Sequence, residues 1–288
     1  MKQAPAIPNS GNNTKNAASS SRRLASASNL RLKGRVALFS KLFRAGPRKA
    51  FEIPPDTRAY AIGDVHGRYD LLVTLLGRIE ADSRERPCAR EYIVFLGDLI
   101  DRGPDSRGVL DYLLRARQFM PNPIFLAGNH EEMLLRVLRH DADQIVNWLN
   151  FGGHECVESY GLDASLLATM SPERAQEKIR GAIPQEHIDF IAGFADSFRL
   201  GDYLFVHAGI RPGVPLEDQT VQDLHWIRED FLSSPARFPY MVVHGHTISA
   251  TPDERNNRIG IDTGAYNSGK LTALCIEGTE RKFIEARA

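Results

Sequence analysis

Cysteine is scarce in this 288-residue chain: Cys88, Cys156 and Cys275 lie far apart, without the close pairing of a zinc site. Three scattered thiols argue against a disulfide framework and for a reducing compartment. No apolar run approaches the ~20 residues needed to span a bilayer, so the body is expected to be soluble. Acidic residues are missing altogether from residues 1–50, which carry eleven Lys or Arg. The whole chain has 36 basic and 36 acidic side chains, so residues 51–288 hold 36 − 11 = 25 basic against 36 acidic. The formal net charge of zero therefore hides a basic arm in front of an acidic body. No Cys or Ser sits in a nucleophile motif, which points away from a covalent enzyme intermediate.

Residues 1–28 are rich in Asn, Ser, Ala and Pro with almost no large apolar side chain, a composition that predicts disorder. Between residues 29 and 45, Leu32, Val36, Phe39 and Phe43 recur at helical spacing among Arg31, Lys33, Arg35, Lys41 and Arg44. Such a basic amphipathic segment could lie on an anionic membrane, serve as a cleavable targeting segment, dock on the acidic body, or stay a solvated tail. Nucleic-acid binding would rest on charge alone, since no folded stripe with interleaved aromatics accompanies it. The chain thus divides into a disordered or amphipathic arm at 1–50 and a catalytic domain at 51–288.

Pro54-Pro55 opens the body. Apolar runs predict strands at 58–62, 92–96, 124–127, 203–206, 240–243, 258–261 and 271–276. Leu71, Leu72, Leu75, Leu76 and Ile79 form one helical face, and Val109, Leu110, Leu113 and Leu114 form another after Pro104. A third helix is expected over 131–138, and residues 141–200 read as mostly helical. Strand–loop–helix units in series predict an α/β fold with functional residues at the strand ends. Two sheets face to face, with helices outside, would accommodate this order.

Six glycine-punctuated motifs then follow in order: Gly63-Asp64-Val65-His66-Gly67, Gly97-Asp98-Leu99-Ile100-Asp101-Arg102-Gly103, Gly128-Asn129-His130-Glu131, His207-Ala208-Gly209, His244-Gly245-His246-Thr247 and Asp262-Thr263-Gly264-Ala265. Asp64 and His66 are two residues apart, so in extended backbone both side chains would reach one cation. A carboxylate such as Asp98 has lone pairs enough to bridge two. Asn129 offers an amide oxygen, and His207 and His246 offer imidazole nitrogens. One cation would take Asp64, His66 and Asp98, and its neighbour Asp98, Asn129, His207 and His246. Mixed oxygen and nitrogen ligands suit Mn, Fe or Zn better than Ca. Two such cations, about 3.5–4 Å apart, would lower the pKa of a shared water and clamp a phosphoryl group.

As a set these motifs resemble the phosphoprotein phosphatase family of binuclear metallophosphoesterases, in its bacterial serine/threonine branch, over roughly residues 57–277. The resemblance implies a calcineurin-like αββα sandwich, two mixed β-sheets flanked by helices, and two divalent metal ions, Mn foremost, on the ligands just given. It implies that His130 protonates the leaving alcohol, oriented by Asp101, and that Arg102 holds phosphate oxygens in a bidentate fork with Asn129 nearby. Leu224-His225-Trp226-Ile227-Arg228 resembles the family segment carrying a second phosphate-binding arginine, which is Arg228 here. Many broader metallophosphoesterases have a further histidine where this chain has Ile248, a departure the protein phosphatase branch shares.

The implied reaction is hydrolysis of phosphate monoesters (phosphoserine, phosphothreonine and also phosphotyrosine) by direct attack of a hydroxide shared by the two cations. A phosphoprotein or phosphorylated small molecule would be the partner. The alternative within the family is a bis(5'-nucleosyl)-tetraphosphatase. Symmetrical enzymes of that kind commonly lack the acid matching Asp101, so its presence favours monoesters. A non-catalytic phosphate-binding scaffold would have lost a ligand or His130, and none is lost. His244 is expected to be a ligand support or a satisfied buried histidine, and Asp262 to shape its loop without chemistry. The motif variants look bacterial, which makes a cytoplasmic location the expectation, with peripheral membrane association through the arm left open.

Overall fold

Alternation along the first strand divides the interior in two. In β1 (Thr57–Ile62), Tyr60 and Ile62 enter one apolar cluster and Ala59 and Ala61 another, because successive strand residues face opposite ways. In β2 (Arg90–Phe95), Ile93 and Phe95 separate from Val94 in the same manner. Both strands are therefore covered on two sides. The computed structural model describes residues 50–288.

Helices α1 (Tyr69–Glu85) and α2 (Ser106–Ala116) follow β1 and β2. Strand β3 (Pro123–Phe125) leads into α3 (Asn129–Arg139). After a stretch of short helices come β4 (Ser197–Leu200), β5 (Tyr203–Val206), β6 (Met241–His244), β7 (Asp253–Glu254) and β8 (Arg258–Gly260). The long hairpin β9 (Lys270–Glu277) and β10 (Glu280–Arg287) follows. The strands form two five-stranded mixed sheets, ordered β10-β9-β1-β2-β3 and β4-β5-β6-β8-β7.

Ala61, Val94 and Leu96 from one sheet share a cluster with Tyr203, Phe205, Val243 and Ile259 from the other, so the sheets pack face to face. The outer face of the first is covered by Leu72, Leu75, Val109 and Leu113. That of the second is covered by Leu224, Ile227 and Phe231 over Leu204, Val206 and Val242. Each such side chain, fully buried, contributes about 1.5–3 kcal/mol. The αββα sandwich expected from the sequence is thus the fold observed.

β1, β2 and β3 run parallel, as do β5, β6 and β8. Parallel direction places the loops after these strands, which carry all six motifs, at the carboxyl ends of their sheets.

Strand positions 203–206 match the periodicity outright, and the others shift by a residue or two. β4, β7 and β10 were not expected. β10 reads Glu-Arg-Lys-Phe-Ile-Glu-Ala-Arg, and it is an edge strand whose paired backbone needs no apolar run. Among the described residues no helix is long and apolar enough to cross a membrane. The readings of the N-terminal arm lie outside the described residues.

Candidate metal centre

The six loops converge on Asp98. Its Oδ2 lies 3.5 Å from His66 Nε2, 3.4 Å from His207 Nε2 and 4.0 Å from His130 Nε2. Two groups of side chains share this carboxylate, His66–Asp98–His130 and Asp98–His207–His246, with ligand atoms within 4.8 Å of one another in each. Asn129 Oδ1 stands 3.0 Å from His207 Nε2 and 2.8 Å from His246 Nδ1. Asp64 lies outside both groups but accepts the His246 backbone N–H at 3.0 Å, which joins the first loop to the fifth. All six expected ligands are buried.

These side chains suit cations better than they suit one another. His66 Nδ1 donates to the Ile100 carbonyl at 2.8 Å, and His207 Nδ1 to that of Leu96 at 2.8 Å. Each ring is thereby oriented with Nε2 toward the cluster, the usual support for a metal-bound imidazole. In the neutral ring, His207 Nε2 is a lone pair facing two oxygens, those of Asn129 and Asp98, and something positive must lie between them. With only protein charges present a proton does so: burial lowers the His207 pKa, but Asp98 outweighs it and the value rises to about 10. Burial, then Asp262 and Asp98, push the Asp64 carboxyl well above its ordinary value. His66 is lowered to about 3 by burial and by His130. Oxygen and nitrogen donors, surplus buried acid and lone pairs aimed inward fit a pair of borderline divalent cations.

The local backbone is strained to achieve this. Among the described residues, non-glycine positive φ occurs at Asp56, His66, Asp98, Asp101, Arg102, Asn122 and His246, and five of these seven belong to the site. Each costs on the order of 1–3 kcal/mol, and such residues gather at functional sites. The expected extended geometry at Asp64 and His66 is not what is found. His66 has φ 44°, and the N–H groups of Val65 and His66 both reach the Asp98 carbonyl, at 3.1 and 2.8 Å. A tight turn, not a pleat, brings the two side chains in. Gly128 and Gly245 are obligatory nearby, because a Cβ would collide with the carboxylates of Asp98 and Asp64 respectively.

His130 Nδ1 meets Asp101 Oδ2 at 2.7 Å, and its Nε2 is buried without a hydrogen-bond partner among the described residues. Burial opposes its charge, yet Asp98 and Asp101 together raise its pKa above the ordinary value. Arg102 Nη1 is 3.2 Å from His66 Nε2, and its guanidinium lies 5.4 Å from the Phe151 ring centre and 5.2 Å from that of Tyr266. Arg228 is more peripheral: Nη1 is 3.4 Å from both the His246 carbonyl and Thr247 Oγ1. All the residues expected from sequence therefore meet at one place, with Arg228 on its rim.

Two positioning residues were not recognised from sequence. Glu131 is expected only as the end of its motif and the start of a helix over 131–138, yet its buried carboxylate accepts the backbone N–H of Asp98 at 2.8 Å, Leu99 at 2.8 Å and Gly128 at 2.9 Å. It clamps the second loop to the third. Trp148 Nε1 donates to Asp101 Oδ2 at 2.9 Å. Glu131 was visible as the end of its motif, whereas Trp148 had no local signal. Asp262 accepts from Gly264 N at 2.8 Å and shapes the last loop, while burial and Asp98 raise it to about 6. His187 is satisfied by Tyr160 and Asp111, while His225 meets Glu132 through Nδ1 at 2.9 Å and has its buried Nε2 3.2 Å from Asp196 Oδ1. His244 is buried with Nδ1 on the Gly245 carbonyl and supplies no ligand to either group.

The calcineurin-like phosphoesterase family model matches residues 57–270. The chain is 29% identical over 235 residues to the asymmetrical bis(5'-nucleosyl)-tetraphosphatase PrpE of Anoxybacillus flavithermus, covering 74% of this chain and 88% of that one. It is 27% identical over 268 residues to the symmetrical bis(5'-nucleosyl)-tetraphosphatase of Methylobacillus flagellatus, covering 77% and 92%. Among solved structures, a candidate diadenosine tetraphosphatase aligns at TM-score 0.57 and 20% identity over 82% of this chain and 98% of its own. A cold-active protein tyrosine phosphatase aligns at 0.51 and 17%, over 81% of each chain. At these identities the two structures speak to fold alone.

Proposed function

This chain belongs to the calcineurin-like phosphoesterase family, and we propose that it hydrolyses dinucleoside polyphosphates at a phosphoanhydride bond. The observation that carries a phosphoryl-transfer reading is the meeting of the buried Asp98 and His130 with the half-buried Arg102 in one cluster. The choice of a dinucleoside substrate is supported by relatives of that activity matched over most of their length. This replaces the protein phosphatase expectation as the leading one.

Asp64, His66, Asp98, Asn129, His207 and His246 would hold two divalent cations. When bound, such a pair supplies Lewis acidity to the phosphoryl group and makes water acidic enough to attack at neutral pH. The remaining work falls to the side chains around it. Arg102 would grip the equatorial phosphate oxygens through its fork, with Arg228 closing the rim. His130, whose two carboxylate neighbours favour its protonated form against burial, would give the Nε2 proton to the leaving oxygen and be held in place by Asp101.

The His130–Asp101 pair specifically favours a second reading, the phosphate monoester. An alkoxide leaving group needs a proton far more than a nucleotide phosphate does, so a fully built donor suits phosphoserine or phosphothreonine. One assay separates the two. With added Mn²⁺, kcat/KM for diadenosine tetraphosphate is expected to exceed that for a phosphoserine peptide by at least about tenfold, and the reverse order would reject the dinucleoside reading. Product analysis then distinguishes symmetrical from asymmetrical cleavage.

A further inference from the structure

Beside the ligand cluster lies a cleft of about 430 Å³, lined among others by Arg102, Asn150, Phe151, His154, Glu155 and Tyr266. Its volume is within the range of small-molecule sites, roughly 300–1,000 Å³. The metal ligands do not line it, and nothing in the proposed hydrolysis uses its aromatic walls. Phe151 lies nearly parallel to the His130 ring, 5.1 Å away at 18°, and Tyr266 stands edge-on to His66 at 5.4 Å. Arg102 occupies the space between these two aromatics. A phosphate gripped by Arg102 therefore has a ring on either side of it.

Phe151 is 42% exposed, so a large apolar ring is left partly in water next to His130 and Arg102. The backbone holds it there. Gly152, at φ 122°, gives its carbonyl to the Arg102 N–H at 2.8 Å, and a Cβ at Gly152 would press on the Arg102 side chain. The polar side chains of Asn150, His154 and Glu155 in the same cleft offer donors and acceptors that the edge of a nitrogen heterocycle can use and a hydrocarbon ring cannot.

We infer that this cleft is the nucleobase subsite: one base of the substrate stacks on Phe151 beside Tyr266, while Arg102 holds the adjoining phosphate. The inference rests on the dinucleoside polyphosphate reading and names where that substrate's base goes. Stacking of one base on an aromatic side chain makes the difference of about tenfold or more in affinity.

Adenosine, which carries no phosphate, is the probe. Its dissociation constant is measured by calorimetry on the metal-loaded wild type and on the Phe151→Ala, Phe151→Leu and Phe151→Trp variants, beside KM for diadenosine tetraphosphate. The expected result is that Ala and Leu weaken adenosine about tenfold or more and raise KM by a similar factor, while Trp restores both. Leucine keeps apolar packing against His130 but cannot stack, so equal adenosine affinity in Phe151→Leu and wild type would overturn the subsite. If that happens while diadenosine tetraphosphate is still cleaved, only the subsite fails. If adenosine binding depends on Phe151 but no dinucleoside polyphosphate is cleaved, the base cleft stands and the proposed substrate falls.

Discussion

Asp101 and His130 form a wholly buried pair, with Oδ2 of one 2.7 Å from Nδ1 of the other, and Trp148 donates to the same oxygen at 2.9 Å. The pair fixes which nitrogen of His130 faces Asp98 and leaves Nε2 as the one atom able to deliver a proton. His130→Asn is expected to lower kcat about 10²–10⁴-fold on an alkyl phosphate and far less on an aryl phosphate with a good leaving group. A leaving-group series on wild type and variant measures this. Equal losses across the series would exclude a proton-donor role.

Asp98 is common to both ligand groups, so its loss should affect both cations at once. Asp98→Asn is expected to bind less metal by elemental analysis than either His66→Asn or His246→Asn. Chelation of the wild type should lower Tm by about 5–10 °C, the effect of removing a ligand held near a hundredfold above its Kd from a domain of this size. In Asp98→Asn the chelator should shift Tm much less. An unchanged wild-type Tm would mean that no stabilising metal is bound there.

Glu131 joins two ligand loops through backbone N–H groups alone. Glu131→Gln keeps the shape but turns an NH₂ group toward donors, which leaves at least one of them unpaired. A loss of about 1–3 kcal/mol in urea unfolding is expected, together with reduced metal content. Wild-type stability in the variant would show that the clamp carries little.

Away from the site, Asp82 gathers Tyr60 Oη at 2.7 Å, Arg86 and Lys282, which ties α1 to β1 and β10. Burial opposes its charge, but the bonds from Arg86, Lys282 and Tyr60 outweigh burial and hold its carboxyl below the ordinary value of 3.8. A depressed acid contributes stability that is present above about pH 4 and is lost as pH falls through the folded-state value. Asp82→Asn should therefore cost about 1–2 kcal/mol at pH 7 and less near pH 2, where the wild type has lost part of the same contribution. Urea unfolding of both proteins at the two pH values tests the sign. A penalty that grows on acidification would contradict it.

Arg102 faces the cluster, whereas Arg228 rests on the His246 carbonyl at the rim. Arg102→Ala is accordingly expected to reduce kcat/KM by about 10²-fold or more, and Arg228→Ala by less. Arg102→Lys should rescue little, because an ammonium cannot reproduce the fork. Equal effects of the two alanine variants would place the phosphate between them.

Much of the fold was legible because it is locally encoded. Tyr60 and Ile62 alternate with Ala59 and Ala61, and Leu71, Leu72, Leu75 and Ile79 recur at helical spacing, so β1 and α1 announce themselves. β10 did not, since its pairing to β9 supplies what its charged sequence lacks. Glu131 was legible as a residue but not as a clamp, for its partners lie some thirty positions earlier in the chain (Asp98 and Leu99).

What the sequence determined by itself was the chemistry: carboxylate, imidazole and amide side chains in glycine-flanked loops after apolar strands. Residue type and short spacing are properties of a few neighbouring positions, and they survive without coordinates. Only the tertiary structure decided that one oxygen of Asp98 would stand between His66 and His207, that His66 would turn through a positive φ, and that Phe151 and Tyr266 would flank Arg102. Those relations arise where loops from two sheets are pressed together by the apolar layer between them, and no local pattern in the chain carries that packing.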